Sequence, residues 1–308
     1  MNMNTRRGFL QTTLTAAAAS PLSAAAPGPV VAQPMRVSVL AYSFHGLLKQ
    51  GRMDIFGFLE TCKYRYHLDA ADLWNGFLTS TEEDYLKKVR EELDERELSV
   101  PNLAVDNAHV WVDDPTGREK NYKNAIAHLN AGRILGARFV RVDAGMCGKD
   151  TKEWTPEAFD HIVKRYREYA QYAHDHGFKA GAEVHWGPES YWPSLRKLHA
   201  AVNHPGFGIC CHIGGFQGTQ EEKDIADREI APWVVHTHID WATTEGPLVE
   251  KMTNLRNAGY QGYYSVEHHS AKSEYAEVAI QMAKVRAVLQ SWRTGGSGRD
   301  SFTEKPAQ

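Results

Sequence analysis

Short apolar runs separated by helix-like segments recur about eight times along the chain. In the C-terminal half these runs cover residues 179–186, 207–215, 232–240 and 262–269. Four earlier runs of the same character cover residues 36–42, 70–74, 99–105 and 137–142. Continuous apolar runs of this length favour strands that are buried on both faces, as in a parallel sheet.

The segments between the apolar runs predict helices. The clearer ones cover residues 54–63, 81–97, 118–135 and 155–176, and the less regular ones cover 191–202, 221–230, 247–258 and 273–292. Thr155 followed by Pro156 is a typical helix start, and Gly177 and Gly259 stand where two helices should end. Strands that alternate with helices in this way predict an α/β fold, specifically a (β/α)8 TIM barrel.

The N-terminus differs from the rest of the chain. Arg6 and Arg7 precede Phe9-Leu10, a small apolar run at 14–19 and an alanine-rich stretch at 23–26. This segment resembles a twin-arginine export signal, and its apolar run is too short to span a membrane. We therefore predict three parts: residues 1–32 as signal peptide and linker, 33–294 as the barrel, and 295–308 as a flexible tail. The mature protein would be periplasmic or secreted, without a membrane anchor.

Composition narrows the choice of partners and compartment. Removing the signal leaves about 275 residues, which fits one barrel better than two average domains. With 35 basic and 38 acidic residues the charge is nearly balanced, and no basic stripe points to nucleic acid. Cys62, Cys147, Cys210 and Cys211 are the cysteines. We interpret all four as thiols, because adjacent cysteines are poor disulfide partners and a protein folded before export needs no disulfide framework.

One residue of a type that binds metals stands in each of the last four predicted strands. These residues are Glu183, His212, His238 and Glu267. A single buried carboxylate or imidazole is more often a hydrogen-bonded core residue. Four in consecutive strand units, near the strand ends that face one another in a barrel, instead predict a metal site.

Other polar and aromatic residues surround this predicted site. The period-two spacing of strands places His185 on the face of Glu183, His236 and Asp240 on the face of His238, and His269 on the face of Glu267. For His236 a core role is favoured, whereas His185 and His269 are candidates to bind hydroxyl groups or orient a ligand. Further candidates near strand ends are His45, Trp74, Asn107, His109, Trp111, Arg141, Asp143 and Trp186. Trp74 could instead pack in the core, and Arg141 could pair with Asp143.

Three phrases around the predicted ligands resemble a known family. AGAEVHW, HTHID and YYSVEHH, which contain Glu183, His238 and Glu267, are similar to the xylose-isomerase-like barrels called sugar phosphate isomerases/epimerases, which include tagatose and psicose epimerases. LDAADLW and AGRILGARFVRV add to the resemblance, which covers nearly the whole mature chain. It implies a divalent metal held by Glu, Asp, His and Glu on the last four strands, and frequent homodimers.

One predicted ligand departs from the family pattern. His212 stands where relatives usually have Asp, and Gly215 stands where they have His. A site with one fewer negative charge favours Mn²⁺, Co²⁺, Fe²⁺ or Zn²⁺ over Mg²⁺, which prefers oxygen ligands, and Mn²⁺ is our first choice. Alternatively, His212 contacts the substrate and the metal has three protein ligands.

The resemblance implies that Glu183 and Glu267 are the base and acid of a proton transfer, although both could serve as ligands alone. The leading hypothesis is an exported, metal-dependent isomerase or epimerase of an unphosphorylated carbohydrate, since phosphorylated sugars are kept inside cells. His185, His109, Arg141, His45, Trp186, His269 and Asp240 would contact this substrate. A lyase that expels the aglycone from a 3-keto-glycoside would begin with the same step. An endonuclease of the same barrel type and a non-catalytic sugar-binding barrel remain alternatives.

Overall fold

The computed structural model describes residues 36–145 and 150–293. The predicted export signal, the predicted C-terminal tail and Cys147 lie outside these described residues. Cys62, Cys210 and Cys211 are buried free thiols. Among the helices of the described ranges, none is both long enough and apolar enough to cross a bilayer.

Eight parallel strands form the centre of the molecule. They are β1 (Val37–Val39), β2 (Leu73–Trp74), β3 (Leu103–Val105), β4 (Phe139–Val142), β5 (Lys179–Glu183), β6 (Phe207–His212), β7 (Val234–Ile239) and β8 (Tyr264–Val266). From β2 to β8 each strand pairs with its neighbours in sequence, and β8 pairs with β1. A single parallel bridge between Leu40 and Asp72 joins β1 to β2 and completes the circuit. The predicted TIM barrel is confirmed.

Helices surround the strands. The described helices are α1 (His45–Lys49), α2 (Ile55–Glu60), α3 (Glu83–Glu95), α4 (Pro115–Leu135), α5 (Pro156–Asp175), α6 (Trp192–Val202), α7 (Gln220–Ile230), α8 (Trp241–Glu245), α9 (Leu248–Asn257) and α10 (Glu274–Arg293). All eight predicted helices are present at nearly the predicted positions, and α1 and α8 are additional. Helix α5 begins as predicted, with the Thr155 side chain accepting a hydrogen bond from the Ala158 amide at 3.2 Å.

Two helix starts were predicted wrongly. Helix α3 begins at Glu83 rather than Thr81, because the Ser80 hydroxyl accepts a hydrogen bond from the Glu82 amide and holds a turn ahead of the helix. Helix α4 begins at Pro115, three residues before the predicted start. The Asp114 side chain caps this helix by accepting hydrogen bonds from the Thr116 and Gly117 amides. Asp followed by Pro is typical of a helix start, and the sequence prediction overlooked it.

The strands are shorter than the apolar runs that predicted them. The run at 262–269 contributes only Tyr264–Val266 to the sheet, and the run at 207–215 contributes Phe207–His212. Parallel pairing stops where the chain turns out of the barrel, so apolar character continues into the loops above the strands. The candidate site lies at these C-terminal ends of the strands.

Strands β5 and β6 leave no room for a side chain at Gly181. A Cβ atom on Gly181 would lie 1.9 Å from the Gly208 carbonyl oxygen, so only glycine fits there. Gly181 lies two residues before the end of β5, where Glu183 stands. The close contact therefore fixes the position of the first predicted ligand relative to β6.

Candidate metal centre

The four predicted ligands come together at the C-terminal ends of β5 to β8. Glu183 and His212 are the last residues of β5 and β6. His238 is the penultimate residue of β7, and Glu267 directly follows β8. One ligand atom from each residue lies within 4.8 Å of the others. The barrel thus brings together four side chains of types that can bind a metal ion.

Both imidazoles turn the same nitrogen toward the carboxylates. His238 Nδ1 lies 2.7 Å from Glu183 Oε1 and 3.8 Å from Glu267 Oε2. His212 Nδ1 lies 3.5 Å from each of the same two oxygens. Two carboxylate oxygens and two imidazole nitrogens form a donor set that suits a divalent transition-metal ion.

The carboxylates are held in the ionised form that a ligand or a base needs. Burial alone would raise the pKa of Glu183, but the nearby His238 ring and further cations outweigh it, and the pKa falls well below its usual range. Burial also opposes ionisation of Glu267, yet a hydrogen bond from His269 and the charge of His238 lower its pKa to about 2. Glu267 Oε2 is buried and has no hydrogen-bond partner within the described residues. A buried oxygen without a hydrogen-bond partner, close to two imidazole nitrogens, is in a position to bind a cation.

Arg141 supports Glu183 from the side opposite His238. Its guanidinium, which is buried, lies 3.0 Å from Glu183 Oε2, 2.8 Å from Asp143 Oδ2 and 3.0 Å from Asp106 Oδ1. The sequence suggested that Arg141 either contacts the substrate or pairs with Asp143, and the structure shows the pairing with Asp143. With three carboxylates around it, Arg141 neutralises charge beside the site and holds the second oxygen of Glu183.

His185, Trp186 and His109 form one wall beside this ion-pair cluster. His185 stacks on Trp186 with ring centroids 3.5 Å apart, and His109 meets the Trp186 ring edge-on at 5.9 Å. His185 Nδ1 lies 3.4 Å from Asp143 Oδ2, and His109 Nδ1 lies 3.9 Å from the same oxygen. The structure therefore brings all three predicted contact residues to the same side of the centre.

Aromatic rings form a second wall. Tyr42 stacks on His45 at 4.6 Å and meets Trp74 edge-on at 5.0 Å and His269 at 5.9 Å. His269 is half exposed and places Nε2 3.4 Å from Glu267 Oε1. Rings arranged around a polar centre can contact the apolar faces of a sugar. The sequence had nominated every member of this wall except Tyr42.

Three nominated residues make their contacts away from the four ligands. The Asp240 carboxylate accepts a hydrogen bond from the Thr243 amide at 2.7 Å and caps α8. Asn107 has a left-handed backbone conformation, and its carbonyl accepts from Asn124. Trp111 packs on Arg118, with the guanidinium carbon 4.2 Å from the ring centroid. A substrate role for Asp240 stays a prediction.

Sequence reasoning missed two buried acids near the site. Asp72 is fully buried below His238, and its carboxylate lies 2.6 Å from His236 Nε2, which confirms the core position favoured for His236. Glu189 is also fully buried and accepts a hydrogen bond from the Ala144 amide at 2.7 Å. Burial and the neighbouring Asp143 carboxylate raise the pKa of Glu189 well above its usual range. The sequence pattern that could have identified these two residues is an isolated acidic residue, within an apolar run for Asp72 and within a loop segment for Glu189.

Comparisons with known proteins agree with the barrel fold. A family model described as xylose isomerase-like TIM barrel matches residues 65–289. A search of curated proteins found no match for the chain. Among solved structures, 3-keto-D-glucoside 4-epimerase from E. coli is similar, with 15% identity, a TM-score of 0.65, and coverage of 82% of this chain and 99% of that one.

Two further structures have the same overall similarity. D-psicose 3-epimerase, solved in the presence of D-fructose, is 14% identical with a TM-score of 0.65, and the match covers 85% of this chain and 100% of that chain. The IOLI protein with a bound zinc atom is 17% identical with a TM-score of 0.65, and coverage is 84% and 99%. At these identities the structures demonstrate a shared fold.

Proposed function

Because the chain belongs to the xylose isomerase-like TIM barrel family, we propose that it is a divalent-metal-dependent enzyme that isomerises or epimerises an unphosphorylated carbohydrate. The observation that carries the proposal is the convergence of Glu183, His212, His238 and Glu267 within 4.8 Å at the face of the barrel where such enzymes work. Two structures of the same fold are sugar epimerases by name.

The four residues would hold the ion, and Mn²⁺ is the ion we propose. Bound there, a divalent ion would polarise a carbonyl of the substrate and make the adjacent C–H more acidic. His212 in place of a third carboxylate supports a borderline-soft ion over Mg²⁺. The zinc in the structurally similar IOLI protein is consistent with an ion of this class.

Glu183 and Glu267 would move the proton. Both carboxylates are ionised at neutral pH, as their lowered pKa values require, so either can accept a proton from the carbon next to the carbonyl. Isomerisation is complete when the same carboxyl returns that proton to the former carbonyl carbon, while a proton passes from the adjacent hydroxyl group to the former carbonyl oxygen. Epimerisation is complete when a proton from water reaches the opposite face of that carbon by way of the other carboxylate, and the first carboxyl releases its proton to water. His185, Trp186 and the ring of His269 would position the sugar.

A second reaction class shares the first step. If the substrate were a 3-keto-glycoside, removal of the proton beside the keto group could be followed by loss of the aglycone, which gives a lyase. The structurally similar E. coli protein is a 3-keto-D-glucoside 4-epimerase, which favours this substrate class as the alternative.

Proton NMR in heavy water tests the proposal directly. The protein would be loaded with Mn²⁺ for reaction with ketoses, aldoses and 3-keto-glycosides, and the sugars would be analysed after the ion is removed. We expect deuterium at a carbon beside a carbonyl, and the product would separate epimer, isomer and released aglycone. A chelated sample and Glu267→Gln, which keeps the size of the side chain, serve as controls. Equal exchange with and without metal would contradict the proposal.

We also propose export of the protein to the periplasm or the cell exterior. The support is the Arg6-Arg7 pair before an apolar run, which matches a twin-arginine signal. Residues 1–32 fused to a reporter should direct it out of the cytoplasm. The double change Arg6→Lys and Arg7→Lys should retain the reporter inside, and unchanged export would exclude this route.

A further inference from the structure

A cavity of about 630 Å³ lies at the C-terminal ends of β2 and β3. We call it the side cavity. Asn75 and Asn107 line it from the loops that follow these two strands, and Lys120, Asn124 and His128, spaced four residues apart, line it from one face of α4. Its volume is within the range of about 300–1,000 Å³ that is usual for small-molecule sites.

Direct contacts connect the side cavity to the candidate metal centre. Asp106 lies between the two. Its carboxylate lies 3.0 Å from Arg141 and accepts a hydrogen bond from Trp74 Nε1 at 2.7 Å. Its backbone N–H donates to Asn75 Oδ1 at 2.9 Å, and its carbonyl accepts from Asn75 Nδ2 at 3.1 Å. Because Arg141 also lies 3.0 Å from Glu183, the cavity wall at Asn75 is connected to a candidate ligand through only two residues.

Hydrogen bonds hold the wall of the side cavity in place. Asn124 Nδ2 donates to the carbonyl groups of Asp106 and Asn107 at 3.1 Å and 3.0 Å. His128 Nδ1 lies 2.9 Å from the Asn124 carbonyl oxygen. Groups that already have one conformation lose little entropy when a ligand arrives, so a wall of this kind suits binding.

Several polar groups in this wall have no partner within the described residues. The exposed Asn107 side chain makes no hydrogen bond there, and Asn124 uses its amide nitrogen but not its amide oxygen. Thr79 and Thr81 add two hydroxyl groups, and Leu78 adds an apolar surface. Amide and hydroxyl groups both donate and accept hydrogen bonds, as the hydroxyl groups of a sugar do.

The charge of the side cavity favours a neutral ligand. Lys120 is exposed and is the only residue with a fixed charge among the described residues that line the cavity. Burial lowers the pKa of His128, so this ring is neutral at pH 7. Sites for phosphate and other anions rely on several charged donors, often a bidentate arginine, and this wall does not supply them.

A substrate with one sugar ring at the metal centre would not use these groups. We propose that the side cavity binds a second, neutral sugar ring, so that the substrate is a glycoside with its reacting ring at the metal centre. Asn107, Asn124 and the hydroxyl groups of residues 79–81 bind the hydroxyl groups of the second ring, and Leu78 contacts its apolar face. This inference rests on the function proposed above and narrows its substrate to a disaccharide or a similar glycoside.

Binding of neutral disaccharides to the full-length protein tests the inference. Calorimetric titration in the presence of chelator, where no turnover occurs, would compare maltose, cellobiose, lactose and sucrose with D-glucose. We expect at least one disaccharide to bind about 10-fold or more tightly than glucose, because the second ring makes several additional hydrogen bonds. If glucose binds as tightly as every disaccharide, the inference is wrong.

Two tryptophan variants of α4 locate the second ring. Lys120→Trp places a large side chain in the side cavity and should reduce disaccharide affinity to that of glucose, without changing glucose affinity. Lys123→Trp adds the same bulk to the same helix outside the cavity, where Lys123 is exposed and pairs with Glu119 at 3.4 Å. It should bind like wild type. Unchanged disaccharide affinity in Lys120→Trp would overturn the inference.

Two glycine variants remove a polar contact without adding bulk. Asn107→Gly removes the unpaired amide and keeps a residue that accepts the left-handed backbone of this position. Asn203→Gly makes the same replacement at another left-handed position, at the C-terminal end of α6, which does not line the cavity. We expect disaccharide binding about 3- to 10-fold weaker in the first variant only. Equal losses in both would contradict a role for the Asn107 amide.

Failure of this inference and failure of the proposed function give different results. Disaccharide binding that Lys120→Trp abolishes, without deuterium exchange into any sugar, would reject the proposed function and leave the second-ring site standing. Metal-dependent exchange that is as fast with single-ring sugars as with disaccharides, and that Lys120→Trp does not change, would support the function and reject the second-ring site.

Discussion

The two oxygens of Glu183 have different partners, and this division determines what a single substitution can do. Oε1 lies against His238 and Oε2 against Arg141. A glutamine at this position keeps one oxygen for the ion but cannot accept a proton. His238, in contrast, contributes only as a ligand in the proposed mechanism.

We therefore expect His238→Ala to lose bound metal and activity together. Glu183→Gln should lower turnover far more than metal content, by about 100-fold or more if it is the base. Metal content by mass spectrometry and turnover on the same samples check this. Equal loss of metal in both variants would leave Glu183 as a ligand without a role as base.

His212→Asp introduces the carboxylate that the sequence resemblance implies at this position. Because an oxygen ligand suits hard cations, we expect the variant to bind Mg²⁺ more tightly relative to Zn²⁺. Competition titrations of the two ions against a chelating dye measure the preference. An unchanged preference would indicate that His212 contacts the substrate rather than the ion.

Glu189 should make stability depend on pH. Its pKa in the folded state is raised above the unfolded value of about 4.5, so the folded state binds the proton more tightly and loses stability as pH rises above that value. In the metal-free protein, Glu189→Gln should be more stable than wild type at pH 8, with a smaller difference at pH 5. Denaturant unfolding at both pH values tests this, and a larger gain at pH 5 would contradict it.

The site residues that could be predicted from the sequence are those that interrupt an apolar run predicted to be a strand. Glu183, His212, His238 and Glu267 each interrupt an apolar run near its end, so their convergence follows from the barrel alone. Asp72 interrupts a similar run, but its meaning depends on donors from distant strands such as Ser265. Glu189 lies in a loop, and its burial is decided by packing that no local pattern encodes.

At the scale of elements, the contact between β5 and β6 is sensitive to any side chain at Gly181. Gly181→Ala would place a methyl group 1.9 Å from the Gly208 carbonyl oxygen. Because this distance is too short, β5 or β6 would have to shift. We expect a loss of about 1–3 kcal/mol in stability and a drop in metal affinity, since Glu183 is two residues away. Thermal unfolding and metal titration measure the two effects.

Gly57→Ala is the matched control for that substitution. Gly57 lies in α2 with no atom closer than 3.4 Å to the added carbon, and alanine favours a helix more than glycine does. It should be neutral or stabilising. Similar losses in both variants would show that glycine replacement itself, rather than strand separation, is responsible.

The sequence predicted well whether a segment is a helix or a strand, and less well at which residues it begins and ends. The type follows from apolar periodicity, which the barrel preserves. The limits depend on side-chain caps such as Asp114 and on where the parallel pairing ends, for instance after Val266. The short helix α8 begins at a cap formed by Asp240, which the sequence suggested as a substrate contact. A polar residue after a strand can serve either purpose, and the pattern alone does not distinguish them.

At the scale of the whole molecule, ligands from four strands should make metal binding stabilise the entire barrel. An ion present at 100 times its dissociation constant adds about 2.7 kcal/mol, which corresponds to about 5–10 °C in melting temperature for a domain of this size. Thermal unfolding with Mn²⁺ and with chelator measures the shift. His238→Ala should show none, and a shift of the same size in that variant would locate the ion elsewhere.

The bridge between Leu40 and Asp72 has a consequence for how the protein matures. Asp72 is made early during synthesis, whereas the candidate ligands Glu183, His212, His238 and Glu267 all come from the later part of the chain. An incomplete or truncated chain therefore has no ion-binding site, and loading must follow closure of the barrel. Under the proposed export route the chain would close before transport, so the ions of the cytoplasm, rather than those outside, would decide which metal the enzyme carries.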